Sequence, residues 1–88
     1  MRFMLLPALL IASGAALASP QCTTADRSTW KDPEQFQAQL KAQGYQINKF
    51  KITSGNCYEI YGLDKDKRKV EIYHDPVTGQ AVKSRVEG

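Results

Sequence analysis

The chain has 88 residues, a formal net charge of +3 and 24% charged side chains, enough for one small domain and too few for two. Basic and acidic residues are interleaved along it, which excludes the concentrated basic face of a nucleic-acid binder. The two cysteines, Cys22 and Cys57, are spaced far beyond the C-x-x-C of redox and zinc sites.

Residues 1–18 read as a cleavable signal peptide. Arg2 gives a short positive start, Phe3 to Leu17 carries no charge, and Ala16 and Ala18 put small residues at the −3 and −1 positions. The competing reading, a membrane anchor, has to accommodate Pro7 and Gly14 in an apolar stretch shorter than the ~20 residues a spanning helix needs. A lipid-anchor signal would place a cysteine directly after the cut, whereas Cys22 lies four positions beyond Ala18. The expectation is a periplasmic or secreted protein with no membrane insertion after cleavage.

Removing the leader leaves 70 residues with a net charge of about +2. A core of that size seldom provides more than ~3–5 kcal/mol of net stability, so a covalent staple matters. An oxidising compartment favours a Cys22–Cys57 disulfide; two free thiols or a bridge between chains is the alternative.

Residues 19–28 contain Pro20 and few apolar side chains and read as an extended arm fixed only by Cys22. The folded domain is expected over residues 29–88. Asp32-Pro33-Glu34-Gln35 predicts a helix start: the Asp32 carboxylate accepts from free backbone N–H groups, Pro33 sits where a missing donor is harmless, and Glu34 favours the positive helix end. The helix runs from Pro33 to about Gln43 and stops at Gly44. Phe36 and Leu40 give it one narrow apolar stripe, with Trp30 at its entrance.

Eleven residues do not hold a helix alone in water, so the stripe must dock on something. The rest of the chain supplies a sheet, with period-two strands at Tyr45 to Ile52, Cys57 to Leu63, Lys69 to His74 and Gln80 to Arg85. Three short turn-rich segments join them as antiparallel neighbours. The predicted fold is α+β, one N-terminal helix on a four-stranded antiparallel meander. Tyr58, Ile60, Val70 and Ile72 share the helix-facing side. Ile47 or Phe50 joins them, and since a separation of three puts them on opposite faces, the strand needs a bulge or leaves an aromatic exposed. The other side carries Glu59, Tyr61 and Leu63 with Glu71 and Tyr73, and no second helix exists to cover it.

Gly44-Tyr45 before a strand, then Gly55-Asn56-Cys57-Tyr58-Glu59-Ile60-Tyr61, then Val70-Glu71-Ile72-Tyr73 running into Asp75-Pro76-Val77-Thr78-Gly79, resembles the PepSY domain family of bacterial envelope and secreted proteins. The match spans about Thr29 to Lys83, and its most specific element is the Asp75-Pro76-x-Thr78-Gly79 turn. The family usually has a glycine before the third strand where this chain has Lys67-Arg68. The resemblance implies a small α+β module, alone or attached to peptidase propeptides, that restrains or modulates proteases, with no catalytic residues and no cofactor.

Chemistry-bearing residues are sparse. His74 is the single histidine, without partners for zinc or nucleophilic catalysis, and is expected as a solvated or turn-bonded imidazole. Asp64 and Asp66 lack the glycine and glutamate spacing of a calcium loop and read as a polar hairpin turn. Lys65, Lys67, Arg68 and Lys69 form a hairpin tip without the interleaved aromatics of single-strand binders. Glu59 and Glu71 are placed to face each other across two strands, where they would raise one another's pKa as an acid–base pair does; pairing with nearby lysines is the favoured reading, because no cleft surrounds them. The expected function is non-enzymatic: a binding or regulatory module whose partner, an envelope protein or peptidase, meets Glu59, Tyr61, Leu63, Glu71 and Tyr73. The alternative is a structural envelope protein that self-associates through its sheet edge. A monomer or weak homo-oligomer is expected, with no metal or cofactor.

Overall fold

A computed structural model describes residues 19–87; the expected leader, residues 1–18, lies outside the described residues. One helix, α1 (Pro33–Ala42), is followed by β1 (Gln46–Ile52), β2 (Tyr58–Leu63), β3 (Lys69–His74) and β4 (Ala81–Glu87). The strands form a single antiparallel sheet in the order β1-β2-β3-β4. This is the α+β meander expected from the sequence.

Local chemistry sets the helix limits. The Asp32 carboxylate accepts from the Gln35 backbone N–H at 2.9 Å, and Pro33 occupies the first turn. After Ala42 the chain reverses through Gln43 into Gly44, whose φ of +105° is the left-handed conformation expected of a helix stop. Phe36 and Leu40 are the buried residues of α1, and they complete a core with Tyr58, Ile60, Val70 and Ile72.

Ile47 and Phe50 both pack against that core. The register along β1 slips between Ile47 and Lys49, so a bulge at Asn48 restores both side chains to one face. The bulge brings β1 so near β2 that a Cβ on Gly62 would lie 1.8 Å from the Gln46 carbonyl oxygen. Only glycine leaves room for that approach.

The β2–β3 and β3–β4 turns are each organised by an aspartate, whereas in the β1–β2 turn the Thr53 hydroxyl accepts from Cys57 N at 3.0 Å. Asp64 Oδ1 accepts from the backbone N–H groups of Asp66 and Arg68, both at 2.9 Å, and its Oδ2 accepts from Arg68 Nε at the same distance. These bonds, led by that from the Arg68 backbone, hold the Asp64 carboxyl below its usual range. Lys67 has φ +68°, so it adopts the left-handed backbone that the usual glycine would supply at lower steric cost. In the last turn Asp75 Oδ1 accepts from Val77 N at 2.8 Å, Gly79 takes φ +81°, and Pro76 is fully buried while its carbonyl accepts from Lys31 N at 2.8 Å. That turn therefore docks on the approach to α1, where the Tyr58 hydroxyl also donates to the Lys31 carbonyl.

Two expectations are corrected. His74 is not a solvated imidazole: it is 3% exposed, edge-on to Phe36 with ring centroids 4.9 Å apart, and its Nδ1 lies 3.2 Å from the Tyr58 carbonyl oxygen. It shares the phase of Val70 and Ile72, so alternation carries it inward, and desolvation lowers its pKa. The arm is not fixed only by Cys22. Besides the Cys22–Cys57 disulfide, Cys22 N donates to the Gly55 carbonyl at 2.9 Å and the Asn56 amide donates to the Thr23 carbonyl at 3.2 Å. Asp26 caps a short 3-10 turn at Arg27–Thr29, which leads into Trp30, edge-on to Tyr58 at 5.7 Å.

Candidate functional site

The helix-free face is a checkerboard. The β2–β3 register sets Glu59 opposite Tyr73 and Tyr61 opposite Glu71, so the two carboxylates meet on a diagonal and not face to face as expected. Extending each pair to the edge strands gives two rows across the sheet: Lys51, Glu59, Tyr73, Lys83 and Lys49, Tyr61, Glu71, Arg85. Carboxylates and phenols thus occupy the middle strands, and cations occupy both rims. A third row, with Leu63 between Gln46 and Lys69, borders a shallow depression of about 190 Å³ next to Tyr61 and Glu71.

Side-chain contacts knit the squares together. The Tyr73 hydroxyl donates to Glu71 Oε2 at 3.0 Å, Arg85 stands 3.6 Å from Glu71 Oε1, Lys51 stands 3.9 Å from Glu59 Oε1, and the Lys49 ammonium lies 5.7 Å from the centre of the Tyr61 ring. The five residues singled out from sequence do converge on one face. They are less open than expected: Glu59 is 1% exposed, and Tyr61, Leu63, Glu71 and Tyr73 are half-buried. The arm helps close the Glu59 end. Cys57, in the same alternation as Glu59 and Tyr61, ties Cys22 there, and a Cβ on Gly55 would lie 2.3 Å from the Pro20 carbonyl oxygen.

The burial differentiates the two carboxyls. Glu59 has its pKa raised, first by desolvation and then by a hydrogen bond with Glu71, against the opposing pull of Tyr61 and Lys51. Its Oε2 is buried with no hydrogen-bond partner of good geometry. Glu71 has its pKa lowered, first by the Glu59 hydrogen bond and further by Tyr61, Tyr73 and Arg85. One proton held on Glu59 and donated to the Glu71 carboxylate accounts for both directions. Hydrogen bonding to these carboxyls also pushes the Tyr61 phenol upward, while burial leads the rise at Tyr73.

The sequence places lysines near the two carboxylates without saying which cations border the face. The signal was present, since Lys49 and Lys51, like Lys83 and Arg85, are two apart on one strand. The register that aligns them with Tyr61, Glu59, Tyr73 and Glu71 was not.

Comparison with known families decides the wider identity. A family model described as "peptidase propeptide and YPEB domain", of the PepSY type, matches residues 2–85. The chain belongs to the PepSY family. The match is wider than the segment that carried the resemblance, and no curated protein and no solved structure matches the chain. PepSY domains are of the inhibitory or propeptide type and generally non-catalytic. In this PepSY domain the Asp75-Pro76-x-Thr78-Gly79 signature has a structural task, since Pro76 anchors the β3–β4 turn to the start of α1. Among the described residues no group of three or more His, Cys, Asp and Glu side chains is placed to hold a metal ion, and no helix is long and apolar enough to cross a membrane.

Proposed function

We propose that this PepSY domain is an exported, non-enzymatic binding module that engages an envelope peptidase, or another envelope protein, through its helix-free sheet face. The supporting observation is the checkerboard of Tyr61, Tyr73, Glu59 and Glu71, framed by four cations and held in place by its own hydrogen bonds and ion pairs. Half-buried phenols on a fixed backbone present apolar area with polar tips at little entropic cost, the composition of interface centres. The disulfide accords with an extracytoplasmic location, where thiols oxidise.

The test is a Tyr61→Ser/Tyr73→Ser variant. A partner is first identified by crosslinking in envelope extract, and its binding to the purified wild-type chain and variant is then compared. The variant should lose binding while keeping a cooperative thermal transition. Equal binding by a folded variant would remove this face from the interaction.

A further inference from the structure

β4 borders the sheet, and among the described residues β3 is its only strand neighbour. It is exposed along its whole length, with Val82 and Val86 each 49% exposed. The register shift opposite Tyr73 and His74 absorbs one residue at Val82, which leaves Lys83 to Glu87 as an unbroken run. Along such a run every second residue turns its N–H and C=O away from the sheet, a template for one more strand.

The side chains specify what that strand must carry. Lys83, Arg85 and Glu87 point to the helix-free face; Ser84 and Val86 point to the other, opposite Ile72 and Val70. The inner neighbour shows a complementary partner: β3 sets Glu71 against Arg85, Lys69 against Glu87 and Val70 against Val86. A strand on the outer side meets the same side chains in the same phase. It is complementary when acidic opposite Lys83 and Arg85 and apolar opposite Ser84 and Val86. Lys83 makes no ion pair among the described residues.

A second copy of the chain fits poorly. The sheet has two borders: β4 brings Lys83 and Arg85 to this face and β1 brings Lys49 and Lys51. Joining β4 to β1 in full overlap brings Lys83 and Arg85 against Lys49 and Lys51, and joining β4 to β4 sets Arg85 against Arg85 or Lys83 against Arg85 in every register that spans the run. Only the short overlap centred on Val86, where Arg85 meets Glu87, avoids like charges, which destabilise a strand pair when opposite each other.

We propose that the β4 edge receives, by strand addition, an extended acidic segment of the partner protein. This deepens the reading above, on which it rests, because a guest strand beside β4 would extend the face that carries Tyr73 and Glu71.

The probe is the capped peptide Thr-Thr-Val-Glu-Val-Glu-Thr, whose antiparallel register sets its two Glu opposite Arg85 and Lys83, its two Val opposite Val86 and Ser84 and a Thr opposite Glu87. It is titrated into isotope-labelled wild-type protein, with a counterpart that has Lys for Glu. The acidic peptide should shift the amide signals of residues 83–87, slow their hydrogen exchange and bind more weakly as salt rises. The lysine peptide should bind at least about tenfold more weakly, the scale of two attractive cross-strand pairs turned repulsive. Lys83→Glu/Arg85→Glu should reverse the preference. Equal binding of both peptides, signal changes confined to β1 or the tyrosine face, no binding at millimolar peptide, or a β4-dependent dimer in sedimentation would each overturn strand addition. Tyr61→Ser/Tyr73→Ser should leave peptide binding intact. Failure of the peptide with tyrosine-dependent partner binding preserved refutes the edge alone; peptide binding with tyrosine-independent capture refutes the face alone.

Discussion

Replacing Cys22 and Cys57 together with alanine perturbs the structure where the arm meets the sheet. The bridge closes a loop with a sequence separation of 35, and in the chain-entropy treatment this restriction of the unfolded state is worth about 4 kcal/mol at 25 °C. A core this small provides only ~3–5 kcal/mol in net terms, so nearly all the margin rests on the bridge. At ~4–8 °C per kcal/mol for a domain of this size, the melting temperature should fall by about 15–30 °C. The arm should also come loose, because Cys22 N to Gly55 O and the Asn56 amide to Thr23 O are the bonds that the bridge holds in register. The assay is thermal and urea unfolding followed by circular dichroism, for the variant and for wild type with and without reductant. Because Cys57 is fully buried, reduction is carried out in denaturant before refolding and checked by thiol titration. A loss below about 1 kcal/mol would refute the reasoning, since the unfolded chain would then gain little freedom from losing the closure.

Gly62→Ala should cost about 3 kcal/mol or more in urea unfolding, because its Cβ would meet backbone atoms that move only if β1 leaves its bulge; a cost under 1 kcal/mol would show that the bulge yields freely. Glu59→Gln tests the shared proton. With its folded pKa raised above the ordinary 4.5, Glu59 contributes stability that is full below that value and declines as pH rises through the raised pKa. Glu71 has the opposite sign: its contribution is full above the ordinary range and is lost as pH falls through its lowered pKa. Glutamine keeps a donor toward Glu71 and cannot ionise, so Glu59→Gln should exceed wild type in stability by about 1 kcal/mol at pH 8, the scale for a poorly satisfied buried acceptor, with the gain shrinking toward pH 4. A constant difference across that range in urea titrations would show that Glu59 does not hold the proton.

Much of the architecture could be read from local pattern. The Asp32-Pro33 start, the Gly44 stop and the Phe36–Leu40 stripe define α1 because caps and backbone freedom act over a few residues. Alternation placed Tyr58, Ile60, Val70 and Ile72 in the core and Tyr61, Leu63, Glu71 and Tyr73 on the opposite face. The same alternation extended one step carries His74 inward, and the adjoining turn does not expose it because Pro76 docks on the approach to α1.

The amino-acid sequence by itself determined the order of elements, the two faces of each strand and the choice between a bulge and an exposed aromatic at Ile47 and Phe50, because these follow from side-chain period and from backbone limits that neighbours do not alter. The register then decided for the bulge. Tertiary structure alone decided which cation stands beside which carboxylate, that Glu59 and Glu71 meet diagonally, and that the arm closes one end of their face. Those outcomes depend on strand register and on a contact between segments more than thirty residues apart. Burial then sets the protonation of Glu59, since the cost of a charge depends on what surrounds it in space and not on its neighbours in the chain.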